Sequence, residues 1–252
     1  MMKEKTYKVH FRFYEELNDF LPPARRKITF VHRFTNNASV KDMIESLGVP
    51  HTEVYLILVN GVSVDFNYLV KDGDSISVYP VFDSFDISAV QHLRPEPLRK
   101  PKFILDVHLG KLAKLMRMLG LDTLYENDYN DKEIIKISKK ERRTILTRDI
   151  GILKQNVVTH GYFVRNIKAE EQIIEIIKRF NLHKFINPFS RCLECNKLLE
   201  LINKDLVIDR LPQKVKESQN KFWICKQCDK IYWRGTHYQK MENLLNKLNI
   251  KY

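Results

Sequence analysis

The sequence predicts a multidomain chain that combines an α+β unit, an α/β unit and a cysteine-rich ribbon. Three observations predict it. Residues before about 83 alternate like short strands and are punctuated by hairpin turns. Residues 102–187 alternate short apolar strands with helical stripes, the beat of a mostly parallel sheet. All four cysteines fall after residue 190, in two matched pairs. The expected boundaries are 1–83, a linker over 84–101 marked by Pro95, Pro97 and Pro101, then 102–187 and 188–252.

In the first segment Tyr7–Phe13 alternates as a strand, and Leu21-Pro22-Pro23 breaks the pattern before Lys27–Arg33 resumes it. Ser39 caps a helix whose stripe is Val40, Ile44 and Leu47, and Gly48 ends it. Val54–Val59 leads into Asn60-Gly61, a hairpin signal, and Asp72-Gly73-Asp74 turns the chain into Ser75–Tyr79. This order resembles the ubiquitin-like β-grasp of small sulfur-carrier proteins. A carrier ends in an exposed Gly-Gly, whereas Tyr79-Pro80-Val81-Phe82 runs on here, so carrier chemistry is not expected. Substrate binding or packing against the neighbouring domain remain as roles, with a protein partner of this domain as an alternative.

The second segment opens with Lys102–Leu105, an apolar strand ending at Asp106. Leu109, Leu112, Ala113, Met116 and Leu119 form a helical stripe stopped by Gly120. Thr123–Tyr125 is a second strand, and Asn130 with Glu133 makes a capping box for the next helix. Thr144–Leu146 is a third strand, followed by Thr147-Arg148-Asp149, and a helix from Glu170 to Phe180 closes the segment. Asp106 and Asp149 therefore sit at carboxyl ends of parallel strands, which gather at one sheet edge, and Asp131 in the first turn of its helix can point there. Converging carboxylates repel and call for a hard cation, magnesium or manganese with oxygen ligands. On a basic protein that suggests phosphodiester hydrolysis, with Lys111, Arg117 and Arg148 as phosphate clamps. Taken singly, each aspartate reads equally as a turn former or a helix-terminal charge.

Cys192-x-x-Cys195 and Cys225-x-x-Cys228 can each offer two sulfurs to one ion, and together they complete a tetrahedral four-thiolate site, most naturally zinc in a structural role. The run Tyr232-Trp-Arg-Gly-Thr-His-Tyr238 follows the second pair. Its aromatics, with Arg234 and His237, read either as base-stacking and phosphate contacts or as the mini-core around the metal.

Charge is uneven. Residues 1–83 hold 10 Lys+Arg and 11 Asp+Glu, and 84–252 hold 33 and 20, a body at +13 on a chain of +12. A body of that sign favours polyanions. No apolar stretch approaches the 20 residues or so of a membrane span, and no signal-like run follows the start, so a cytoplasmic, membrane-free protein is expected.

Phe103-Ile-Leu-Asp106, the Leu109–Gly120 stripe, Leu146-Thr-Arg-Asp149, the paired knuckles and Tyr232-Trp-Arg-Gly-Thr-His237 together resemble the Mut7-C RNase family, a PIN-like nuclease domain with a zinc ribbon. Residues 7–82 resemble the ubiquitin-like domain fused ahead of it. The resemblance implies that Asp106, Asp131 and Asp149 match the acids of PIN-like nucleases, with Asp128 as an alternative and Glu170 as a loose fourth. It departs from the family just after the first strand, where Asp-Gly is usual and Asp106 is followed here by Val107-His108, which leaves the aspartate intact. It implies a metal-dependent endoribonuclease acting on RNA, while ribosomal or transfer RNA is the partner considered for a non-catalytic binding role. A non-catalytic RNA-binding protein and a protein-interaction adaptor are the alternatives.

Overall fold

The computed structural model describes residues 6–80 and 101–250, so all but the last residue of the expected linker lies outside the described residues. The chain folds as two compact units. The first comprises 6–80 together with 149–163, the second 101–148 together with 164–250.

The first unit is a mixed sheet of β1 (Tyr7–Phe13), β2 (Phe30–Phe34), β3 (Leu56–Val59), β4 (Val62–Ser63) and β5 (Ser75–Tyr79) in the order β2-β1-β5-β3-β4. Only β1 and β5 run parallel within it; the other neighbours are antiparallel. Alternation along β1 sends Val9, Phe11 and Phe13 into a core with Ile44 of α1 (Val40–Ser46) and Ile57, Ile76 and Val78. Ser39 caps α1 by accepting from the Asp42 N–H. Asn60 and Gly61 both take positive φ, as a two-residue hairpin turn requires. The second strand starts later than the sequence suggests. Lys27 sits in a left-handed turn with its N–H held by Asn18 Oδ1 at 2.6 Å, so extended pairing begins at Phe30.

In the second unit β6 (Lys102–Leu105) lies between β7 (Asp122–Leu124) and β8 (Thr144–Thr147), all parallel. Helix α2 (Gly110–Met118) follows β6 and buries Leu112, Ala113 and Met116; α3 (Asp131–Glu141) follows β7 and carries the reciprocal Asn130–Glu133 capping box. After β8 the chain forms α4 (Ile150–Leu153) and β9 (Gly161–Phe163), then α5 (Ala169–Arg179). The ribbon is an antiparallel sheet of β10 (Glu200–Ile202), β11 (Phe222–Ile224) and β12 (Ile231–Trp233), with α6 (Gln213–Ser218) in the excursion between its first two strands and α7 (Thr236–Lys247) after it. Phe222, Val207 and Leu211 centre its small core.

Residues 149–163 group with the N-terminal unit. His51 is buried with Nδ1 2.6 Å from Glu45 Oε1 and Nε2 2.7 Å from the Val158 carbonyl. The fully buried Glu53 carboxylate accepts the Phe163 N–H at 2.6 Å. Lys154 donates to the Glu45 carbonyl, Lys41 to Asn156 Oδ1, and the Phe163 ring meets Phe20 edge-on. Gly161 is needed here for space, because a Cβ would come within 2.5 Å of Leu153.

Among the described residues no helix is long and apolar enough to cross a membrane.

Candidate functional site

The two cysteine pairs adopt the same local fold. In each, the N–H after the second cysteine returns to the carbonyl of the first (Asn196 to Cys192 at 3.1 Å, Asp229 to Cys225 at 2.8 Å). The first cysteine donates its own N–H one residue further on, to Lys197 and Lys230. Asn196 and Asp229 carry positive φ, which Asn and Asp tolerate better than other residues with a side chain. These knuckles bring Cys192 Sγ to 3.4 Å from Cys228, and Cys195 Sγ to 3.2 Å from Cys225 and 3.7 Å from Cys228. All four sulfurs lie within 4.8 Å of one another. A tetrahedral ion bonded to four sulfurs at ~2.3 Å spaces them ~3.8 Å apart, so the donor set is close to that of a metal site.

Tyr232 is the second layer of this cluster. Its hydroxyl lies 3.0 Å from Cys192 Sγ and accepts the Leu193 N–H at 3.3 Å. Burial raises the Cys192 thiol, but the Tyr232 hydroxyl and backbone donors outweigh it and bring it down to about 7. Burial, reinforced by the neighbouring sulfurs, pushes Cys195 up to about 12. Four thiolates at this spacing ionise together only around a cation.

The first knuckle is bound to the parallel sheet by two side chains. Asn196 donates to Asp122 Oδ1 at 2.8 Å and accepts the Thr123 N–H at 2.9 Å, stitching the knuckle to β7. Arg117, expected to clamp phosphate, is corrected. It is buried, donating from Nε to the Thr123 carbonyl at 2.9 Å, from Nη2 to Tyr125 at 3.1 Å, and from Nη1 to the carbonyls of Leu193 (3.1 Å) and Glu194. Leu193 and Glu194 are the two residues between Cys192 and Cys195, so Arg117 braces the knuckle from α2.

Arg148 is also turned to the protein, with Nη1 donating to the carbonyls of Val164 (3.0 Å), Arg165 (2.8 Å) and Asn166 (2.7 Å). The N–H groups of Arg165 and Asn166 are taken by Glu175, at 2.8 and 3.0 Å. Sequence reasoning missed Glu175. Its signal was a polar interruption, with Gln172, in the α5 isoleucine stripe. Lys111 is exposed on α2 and lines one cleft with His108 and Glu170 and another with Lys114 and Tyr125.

Asp106 ends β6 and is 8% exposed. Its N–H donates to the Leu146 carbonyl, and Thr147 Oγ1 donates to its Oδ2 at 2.8 Å. Among the described residues no other hydrogen bond reaches its carboxylate and no cation pairs with it, so Oδ1 stays open. Asp149 caps α4 and accepts the Gly151 N–H at 2.7 Å. Asp131 is the exposed first residue of α3, Asp128 is exposed just before it, and Glu170 is paired with Lys247 at 3.5 Å. Among the described residues the cysteines form the group of three or more metal-ligand side chains whose atoms meet within 4.8 Å; no set of carboxylates does.

Arg234 and His237 are exposed at the start of α7. The Arg234 guanidinium lies 5.9 Å from the Trp223 ring centroid and 5.4 Å from that of Tyr238.

Two family models match the sequence. One, described as Mut7-C RNAse domain, matches residues 101–245, and the other, described as Mut7-C ubiquitin, matches residues 6–86. No curated protein and no solved structure matches the chain.

Proposed function

The chain belongs to the Mut7-C RNAse domain family, whose model spans more than half of its 252 residues, and from that premise we propose that it is a metal-dependent ribonuclease hydrolysing RNA phosphodiester bonds. The observation that carries the reading is Asp106: a carboxylate at the carboxyl end of a parallel strand, almost buried, with one oxygen fixed by Thr147 and the other left without a partner. The free oxygen is reachable from solvent, and a carboxylate oxygen is a ligand type that hard divalent cations take. Asp131 and Asp149 are the other acids that would hold the ion, with Asp128 as the alternative. Magnesium or manganese bound there supplies Lewis acidity toward the phosphate and its attacking water. Thr147 orients Asp106, Glu175 and Arg148 hold the turn at 164–166, and exposed Lys111 offers a charge for phosphate. The four cysteines hold zinc in this reading; with every ligand supplied by protein there is no open position for chemistry, so that ion is structural.

A non-catalytic RNA-binding role is the second reading. It is favoured by the carboxylates failing to meet within ligand distance of one another. One experiment separates the two. Zinc-loaded full-length protein is incubated with single-stranded and structured RNA in manganese, beside Asp106→Asn and Asp149→Asn variants. The nuclease reading expects cleavage lost in both variants. Cleavage unchanged by either substitution overturns these residues' role, and binding without cleavage establishes the second reading.

A further inference from the structure

We propose that the groove between β12, the start of α7 and the turn at 187–191 is a slot for an unpaired nucleotide of a single-stranded polynucleotide, taking the base against an open ring face and the phosphate on Arg234. This rests on the reading of the chain as an RNA-directed protein and adds to it which conformation of the polymer is selected.

The groove holds about 730 Å³, enough for a nucleotide, and its walls include Phe189, Trp223, Trp233, Arg234, Tyr238 and Met241. Phe189 and Tyr238 stand with ring centroids 4.2 Å apart, and Trp223 and Tyr238 flank the Arg234 guanidinium. Rings and a guanidinium plane arranged in this way suit a base, which stacks on either. Among the described residues Arg234 has no hydrogen bond or ion pair, so its planar fork is held by the two rings alone and its N–H groups remain available. That preorganised, unspent cation matches a phosphate. The setting agrees in sign: residues 188–252 hold 13 Lys+Arg against 7 Asp+Glu.

Gly235 supplies an independent sign that the space is kept open. Its φ of −97° and ψ of −166° are extended backbone that any residue adopts, so conformation does not call for glycine there. Space does: a Cβ would lie 2.8 Å from Trp233 Nε1 and 3.1 Å from Trp233 Cδ1. Neither indole N–H has an acceptor among the described residues. A side chain at 235 would cover the Trp233 donor on a residue that lines the groove. The aromatic run is thus divided between two roles: Trp233 also packs on the ribbon core with Phe222, while Trp223 and Tyr238 attend the groove.

A paired base shows its edges and hides its faces, so the slot excludes duplex. The test uses zinc-loaded full-length protein, whose two tryptophans both line the groove, so that intrinsic fluorescence reports occupancy directly. Single-stranded oligouridylate and oligoadenylate, the matching DNA oligomers, duplex RNA and polyglutamate are titrated at low salt. Single strands should quench the tryptophans and bind at least about tenfold tighter than duplex. Arg234→Gln and Gly235→Val should each weaken single-strand binding about tenfold with zinc content unchanged. Arg234→Gln, at an exposed position, keeps the test valid if Gly235→Val fails to fold. DNA bound as tightly as RNA upholds the slot and assigns it to both polymers. Equal binding of duplex, or of polyglutamate, overturns it, as does full affinity in Arg234→Gln. If RNA is cleaved while the groove variants bind as wild type, the slot fails and the nuclease reading stands. If single strands bind through the groove but nothing is cleaved, the reverse holds.

Discussion

Replacing Arg117 by Met tests whether this guanidinium braces the metal knuckle or serves nucleic acid. The side chain is 3% exposed and reaches four carbonyl oxygens, those of Thr123, Tyr125, Leu193 and Glu194. A hydrogen bond to a charged group is worth roughly 1.5–3 kcal/mol net, so four sum to roughly 6–12 kcal/mol if additive. They are not additive. Removing the charge also removes its desolvation cost, and Tyr125 and Glu194 are accessible enough to rehydrate. A loss of about 3–5 kcal/mol remains, the range for stripping one partner from a buried charged network. Urea unfolding followed by tryptophan fluorescence reads it directly, since Trp223 and Trp233 both report on the ribbon. Zinc release to a chromogenic chelator should accelerate in parallel. Arg117→Lys should recover little, because an ammonium cannot span four carbonyls set for a planar fork. A destabilisation under about 1 kcal/mol, with zinc retained and RNA affinity lost, would refute the brace and restore the phosphate clamp.

Chelating the zinc proposed at the four cysteines should unfold 188–247 while leaving the first unit's β-sheet signal intact, as followed by amide exchange; protection surviving in β11 without metal would count against a folding role for the ion. Glu53→Gln should raise exchange at Phe163 and neighbouring amides and open 149–163 to protease, because the buried carboxylate holds the Phe163 N–H; unchanged exchange there defeats the expectation. Asp122 gives a pH signature. Burial opposes its ionisation, but Arg143 and Asn196, bonded to Oδ1 at 2.6 and 2.8 Å, hold the carboxyl below its usual range. The stability it adds is therefore present above the unfolded carboxylate value near ~4 and is lost as pH falls through the lower folded value. Asp122→Asn should flatten that acid limb in a urea midpoint series, and an equally steep limb in the variant would contradict it.

Much of this architecture is legible from local pattern. Ser39, the Asn130–Glu133 box, the Asn60-Gly61 turn and both knuckles act through neighbours within a few residues, and each is found as expected. Arg117 was readable only in part. It follows Ala113 by four residues, which puts it on the buried face of α2, yet its carbonyl partners at 193 and 194 lie more than 70 residues away. Arg148 and Glu175 fail in the same way, since their partners are backbone atoms of one turn and leave no trace in side-chain type. The association of 149–163 with the N-terminal unit was hidden for another reason. After β8 the residues 149–163 group with the N-terminal unit although they follow a strand of the second, while periodicity assumes that neighbours in sequence share a core.

That excursion has a genetic corollary. A gene trimmed to the stretch 101–245 would encode a peptide whose Val158 carbonyl, Phe163 amide and Lys154 ammonium had all lost their hosts. Recombination at the proline-rich joint severs a fold inside which the downstream piece has already left a loop behind. A cut there therefore takes from 149–163 the three partners that hold it, and the loop would have to find others or stay open.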